Sequence, residues 1–291
     1  MTNFSIKDLS DFSGIKQHTI RIWEQRFDFL QPKRNDAFRR LYSIDQLNVF
    51  LDASLLNKSG YKVSRIARMS PDEKFQLVSN MDTDCQQLKA VNDLIIFMAE
   101  MDTVNFEQVL DRSILTFGIH NSIRNVILPF AERVGLFQKL DGKSYIENIA
   151  MVRESIRQKI YLGISKAGQN KDAGTTVLLF LPQGEYQELC LLCLQYELKL
   201  QGFTVINLGC SVSVDTLSII CDQKRPDFIV TSLQEKYSRK EMVKFVSSLP
   251  SKFPQMNFIA IGNPVPVQGS NDHLLHADDY TQAMKLIANK D

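Results

Sequence analysis

The sequence predicts three architectures in series: an all-α winged helix-turn-helix, a four-helix bundle, and an α/β flavodoxin-like doubly wound parallel sheet. Three observations carry this. A basic stretch from Gly14 to Ser43 follows a short amphipathic segment; residues 84–168 keep a helical period with no strand between; and from Thr175 short apolar runs alternate with helical ones. A chain of 291 residues can build two or three domains with sizeable cores. The expected boundaries are 1–75, 76–170 and 171–291.

Apolar residues at Phe4, Ile6, Leu9 and Phe12 suit a short first helix, and Gly14 marks the turn after it. The next segment puts Thr19, Arg21 and Gln25 on a polar side and leaves Ile20, Trp23 and Phe27 to pack. Two helices joined at a steep angle by a tight turn can set one helix in a major groove. A Pro- and Lys/Arg-rich hairpin-like loop follows, ending in Phe38, Arg39, Arg40, Leu41 and Tyr42. The formal charge of the whole chain is only +1, but from Lys16 to Arg40 seven Lys and Arg stand against three Asp and Glu. That local excess is the electrostatic footprint of phosphate binding; a solvated basic surface is the alternative.

Ser43 and Gln46 form a capping box for a helix running to about Lys58, which Gly60 stops. A shorter helix spans roughly Val63 to Met69. Ser70, Pro71 and Glu73 start another, expected to run outward as a linker. Four amphipathic segments follow, the first led by Leu88, Val91, Leu94, Ile95 and Met98 and the last running from Ile146 to Ile164. Pro129 is expected to kink the third. Val177–Leu181, Phe203–Leu208, Phe228–Leu233, Phe258–Ile261 and Leu274–Ala277 are near-continuous apolar runs, as strands covered on both faces require. In such a sheet the ligand crevice lies at the carboxyl ends of the strands.

Enzymatic patterns are missing from the sequence. Cys190 and Cys193 form a C-x-x-C inside the apolar run LCLLCLQY, which reads as buried helical thiols rather than a redox or metal pair. His273 and His276 make an H-x-x-H without further ligands at metal spacing, and no glycine-rich phosphate loop occurs. No metal site is expected. Five Cys without regular spacing and no secretory leader predict a reducing cytoplasm, and no apolar run is long enough for a membrane span.

Thr19, Ile20, Arg21, Trp23 and Glu24, followed by Arg40 and Tyr42, match the pattern T-[IL]-R-x-[WY]-E … R-x-Y, so the N-terminal stretch resembles a winged helix-turn-helix of the MerR type. Trp23, with the order winged helix, bundle and sheet, is similar to the bacterial light- and cobalamin-responsive CarH/LitR regulators over nearly the whole chain. The resemblance implies a transcriptional regulator, not an enzyme, acting as a homodimer or higher oligomer on a palindromic double-stranded DNA operator. It implies DNA contacts from Gln17, His18, Thr19 and Arg21 on the recognition helix, and from Lys33, Arg34, Arg39, Arg40 and Tyr42 in the wing.

The cobalamin motifs of that family are changed here. Its D-x-H-x-x-G falls on Glu185, Gln187 and Cys190, so the cobalt-binding His is a Gln and the Gly a Cys. S-x-L appears with Thr231 and Leu233, and the first Gly of its G-G as Gly262. W-x9-E-H, which caps the upper corrin face, becomes Phe137, Glu147 and Asn148. A glutamine amide is a poor cobalt ligand beside imidazole. No cofactor is therefore expected, and the crevice is left to another small ligand or a protein partner. The alternatives are a working adenosylcobalamin-dependent, light-responsive repressor and, from another class, a corrinoid carrier.

Overall fold

A computed structural model of the protein describes residues 3–27, 30–34, 38–136, 146–167, 174–183, 188–233, 248–249, 252–253, 255–262 and 274–289. The chain divides into two compact units, Met1–Lys159 and Ile160–Asp291.

The first unit opens with α1 (Ile6–Ser13), capped by a Ser5–Asp8 capping box that the sequence reading did not single out. Gly14 ends it in the left-handed region at φ 72°, a conformation without steric cost only for glycine. Lys58 Nζ donates to the Ser13 carbonyl at 2.8 Å and so braces this turn. Next comes α2 (Gln17–Arg26), burying Ile20 and Trp23 while Phe27 stays only half-buried as its C-cap. The expected wing is a two-stranded antiparallel ribbon, β1 (Lys33–Arg34) with β2 (Arg40–Leu41). Phe4 and Tyr42 exchange main-chain hydrogen bonds of 2.9 Å, anchoring the chain's start to the far side of the ribbon.

The Ser43–Gln46 capping box starts α3 (Ile44–Lys58), and the Ser70–Glu73 box with Pro71 starts α5 (Pro71–Ser79); α4 (Val63–Ile66) lies between. The helix begun at Pro71 does not run on as a linker. It stops at Ser79, and Asp82, accepting from the Cys85 amide, caps a new helix, α6 (Thr83–Glu100). An N-cap carboxylate inside a polar run ends one helix and starts the next.

α6 packs on α3, and the join carries polar groups. Asn92 donates to the Leu51 carbonyl and accepts from Arg133, and Lys89 lies between Asp52 and Asp93. α7 (Thr103–Phe117) meets the third helical segment through Phe106 and Phe130, edge to face at 5.4 Å. That segment is α8 (Ile119–Ser122), a π turn (Ile123–Ile127) and α9 (Leu128–Val134). Pro129 takes effect here as a widened turn. Proline has no N–H and its ring crowds the carbonyl one turn back, so the Leu128 amide bonds to Ile123, five residues earlier. α10 (Ile146–Lys166) completes the four. On it Lys159 reaches Glu107 and Asp111 of α7 at 3.2 and 2.8 Å.

The second unit holds a parallel sheet of β3 (Thr176–Phe180), β4 (Thr204–Asn207), β5 (Phe228–Leu233), β6 (Asn257–Gly262) and β7 (Leu274–Ala277). Its order is β4-β3-β5-β6-β7, the flavodoxin-like arrangement, with the topological switch between β3 and β5. Helices α11 (Leu189–Leu200), α12 (Val214–Lys224) and α13 (Tyr280–Ala288) cover it. All six residues of β5 are buried, as a central strand with two covered faces requires.

Candidate functional site

On α2 the apolar spacing turns Ile20 and Trp23 inward, and the ring of Phe50 on α3 stands edge-on to Trp23 at 5.8 Å. His18, Arg21 and Gln25 are thereby left exposed, with Gln17 and Thr19 half-buried beside them. Thr19 Oγ1 and His18 Nε2 lie 3.3 Å apart. In the wing Lys33, Arg34 and Arg39 are exposed. The structure thus brings eight of the nine expected contact residues to the surface of the first unit, Arg40 only partly.

Tyr42 stands differently. Its ring is 0% exposed, and its hydroxyl donates to Glu24 Oε2 at 2.9 Å. Burial foremost, then this bond, raises its pKa well above the ordinary phenol value. Arg40 Nε reaches both Glu24 oxygens at 2.9 Å, a contact that raises the guanidinium's already high pKa. Glu24, quoted in the sequence only as part of a pattern, is therefore the residue that ties the wing to α2. A carboxylate in the last turns of a helix, followed by the donors Arg40 and Tyr42, is the sequence signal that could have found it. Tyr42 is accordingly a positioning residue of the wing rather than an exposed hydroxyl.

Glu24→Gln keeps the shape and removes the charge from both contacts. Because Arg40 is partly solvated, the expected loss is about 1–2 kcal/mol. Trp23 is the chain's one tryptophan, so urea unfolding followed by its fluorescence reads this region directly. An unmoved midpoint would remove Glu24 from the account.

The corrin-related positions divide. Phe137, Glu185 and Gln187 lie outside the described residues. Glu147 is exposed. Asn148 is buried, and its amide donates to the carbonyls of Met98 and Ala99, both at 3.0 Å, near the C-terminal end of α6. Both lie among the last carbonyls of the helix, where Met98 also accepts from the Met101 amide and Ala99 relies on the side chain. In the second unit, Thr231, Ser232 and Leu233 close β5, all buried, and the Thr231 hydroxyl has no hydrogen-bond partner among the described residues. Cys190 faces them from α11: burial pushes its thiol up to about 12, against a hydrogen bond from Ser232 that works the other way. Gly262 ends β6 at φ 126°, and a β-carbon there would overlap the main-chain oxygen of Leu233. His276 Nε2 donates to the Gly262 carbonyl, so one half of the H-x-x-H is engaged on main chain; His273 lies outside the described residues. Among the described residues no group of three or more His, Cys, Asp or Glu is placed to hold a metal ion. No helix among them is long and apolar enough to cross a membrane.

A basic, exposed helix face beside a basic ribbon, joined to a helical bundle and a doubly wound sheet, defines a DNA-binding regulator with a ligand-domain-like C-terminal module. Residues 4–73 match the model of the MerR HTH family regulatory protein. The chain is 28% identical over 230 residues to the HTH-type transcriptional repressor CarA of Myxococcus xanthus, covering 78% of this chain and 75% of that protein. It is 22% identical over 280 residues to the HTH-type transcriptional repressor CarH of the same organism, covering 92% and 89%. Among solved structures, the monomethylamine corrinoid protein of Methanosarcina barkeri superposes with a TM-score of 0.54, covering 70% of this chain and 99% of that one. At 13% identity that likeness shows the fold alone.

Proposed function

We propose that this protein is a transcriptional repressor that binds a palindromic DNA operator as a homodimer or higher oligomer, and that its bundle-and-sheet module no longer binds cobalamin. In this reading α2 enters the major groove, where Gln17, His18, Thr19 and Arg21 meet base edges or phosphate. Lys33, Arg34 and Arg39 neutralise backbone phosphate, with Arg40 partly shared with Glu24. Phosphate contacts supply affinity and register, and base contacts supply sequence preference. One such module buries too little surface for genomic specificity, which is why two half-sites are expected. The two M. xanthus relatives, both named as repressors, support the sign of regulation.

The observation that carries the loss of cobalamin is Asn148. The related regulators have an imidazole at that position for the upper corrin face. Here the amide is buried, with both hydrogen-bonding protons on main-chain carbonyls of α6. Turning it toward a ligand would strand the Ala99 carbonyl at a buried helix end, at about 1–3 kcal/mol, while Met98 would keep only the Met101 amide. Cys190 supports the same reading, since its sulfur occupies buried space against Ser232 at the position of the glycine in the resembled D-x-H-x-x-G motif. A buried amide bonded to main chain and a buried thiol do not fit a corrin ring.

The test is a titration of the full chain with adenosylcobalamin in the dark, following the visible spectrum and DNA binding together. The expected result is no stoichiometric uptake and unchanged DNA affinity before and after illumination. Uptake with a light-reversible change in affinity would overturn the reading and restore the photosensor.

A further inference from the structure

Phe38 is a poor residue for the place it occupies. It lies just before β2, in the loop that closes the wing, and its ring is 78% exposed. Its backbone sits at φ 56°, in the left-handed region that glycine, asparagine and aspartate enter readily and an aromatic residue does not. A folded chain gains nothing from a strained, solvated phenylalanine, and strain of this kind concentrates where a segment contacts a ligand. The surroundings say which ligand. Lys33 and Arg34 are exposed on the paired strand and Arg39 is exposed next to it, so the ring stands in a field that draws a polyanion. Two residues further on, Arg40 is fixed to Glu24 of α2, which limits Phe38 to within about 7 Å of chain from that anchor. A loop so tethered stays beside α2, and a helix seated in a major groove has a minor groove on either side of it. Apolar side chains enter minor grooves against sugars and between base steps, which basic side chains alone do not do.

We propose that Phe38 is a DNA-contacting residue of the wing, packing its ring into the minor groove beside the half-site and supplying a salt-independent part of the affinity. The proposal rests on the DNA-binding reading above and adds to it a contact of different chemistry. Lys33, Arg34 and Arg39 act through counterion release, which weakens as salt rises; an apolar ring does not.

The experiment uses the full chain and the duplex it enriches from a random-sequence library, with affinity measured over a salt series. Phe38→Ala should weaken binding about tenfold, the scale of losing one ring–base contact, and leave the slope of log affinity against log salt unchanged. Arg39→Ala should instead lower that slope by about one. Phe38→Gly separates contact from folding: glycine suits φ 56°, so its melting temperature should hold or rise while its affinity falls like that of the alanine variant. Phe38→Tyr should bind like the parent. A minor-groove-binding dye should compete with the parent and much less with Phe38→Ala. Unchanged affinity in Phe38→Ala, or a loss accompanied by a lower melting temperature in Phe38→Gly, overturns the proposal while leaving the DNA-binding reading intact. If the parent chain enriches no DNA, both fall together.

Discussion

Gly262→Ala should destabilise the second unit by roughly 2–6 kcal/mol, the sum of a backbone forced into a glycine-only region and an overpacked contact. The contact cannot be relieved by a side-chain rotation. The new methyl would overlap the carbonyl oxygen of Leu233, which belongs to the neighbouring strand β5 and is held in register with Gly262 itself. Either β6 moves away at its end or β5 does, and both are buried in the sheet. Displacing Gly262 also disturbs the carbonyl that His276 holds from β7, so the strain passes to a third strand. Gly209→Ala is the control in the same unit: φ is also positive, at 75°, but nothing lies within 4 Å of the added carbon. It should cost about 1–2 kcal/mol, the left-handed penalty alone. Urea unfolding of both variants with an unchanged denaturant slope makes the comparison. Equal losses for the two glycines would show that the close approach of β5 and β6 is not what constrains Gly262.

Trp23→Ala should cost roughly 3–5 kcal/mol, the usual price of removing a buried indole or phenyl ring. Trp23 is 6% exposed, with Phe50 of α3 edge-on against it. Removing it opens the space between α2 and α3, and the helix that presents His18 and Arg21 loses its fixed angle. Calorimetry should show a lowered transition for the first unit and an unaltered one for the sheet, since Trp23 lies in Met1–Lys159. Under the proposed function DNA affinity should fall with it, and Trp23→Phe should recover most of both. A loss below about 1 kcal/mol would mean that α2 is held by its turn and wing rather than by this ring. Glu24→Gln, with its smaller expected effect, asks about that second support separately.

Much of this fold was legible because its signals are local. Ser43–Gln46 and Ser70–Glu73 mark helix starts with residues three apart, and both capping boxes form. The apolar runs of β3 to β7 are short, nearly unbroken and separated by helical stretches, so a parallel sheet was the one arrangement that covers both faces. Pro129 announced a distortion by its chemistry, and the helix carries a π turn beside it. The pattern around Arg21, Trp23 and Glu24 was enough to recognise the helix-turn-helix, and the change of Gly to Cys190 was visible as a change of size.

What the sequence by itself determined, then, was the order of the modules, the helix and strand positions, and the basic stretch that faces outward. Only the tertiary structure decided what each polar side chain does. Tyr42 and Arg40 looked alike as donors for phosphate until both were found on Glu24, a residue far from them in sequence and close in space. Asn148 looked like a lost ligand; it holds the end of α6 instead, through carbonyls about fifty positions away. Phe38 was only the first residue of the run that ends the basic loop; its exposure and backbone angle set it apart. The physical reason is common to all three. Helix caps, turns and apolar periods are set by neighbours in the chain, whereas a hydrogen bond or an exposed ring depends on which distant atoms folding brings within about 3 Å.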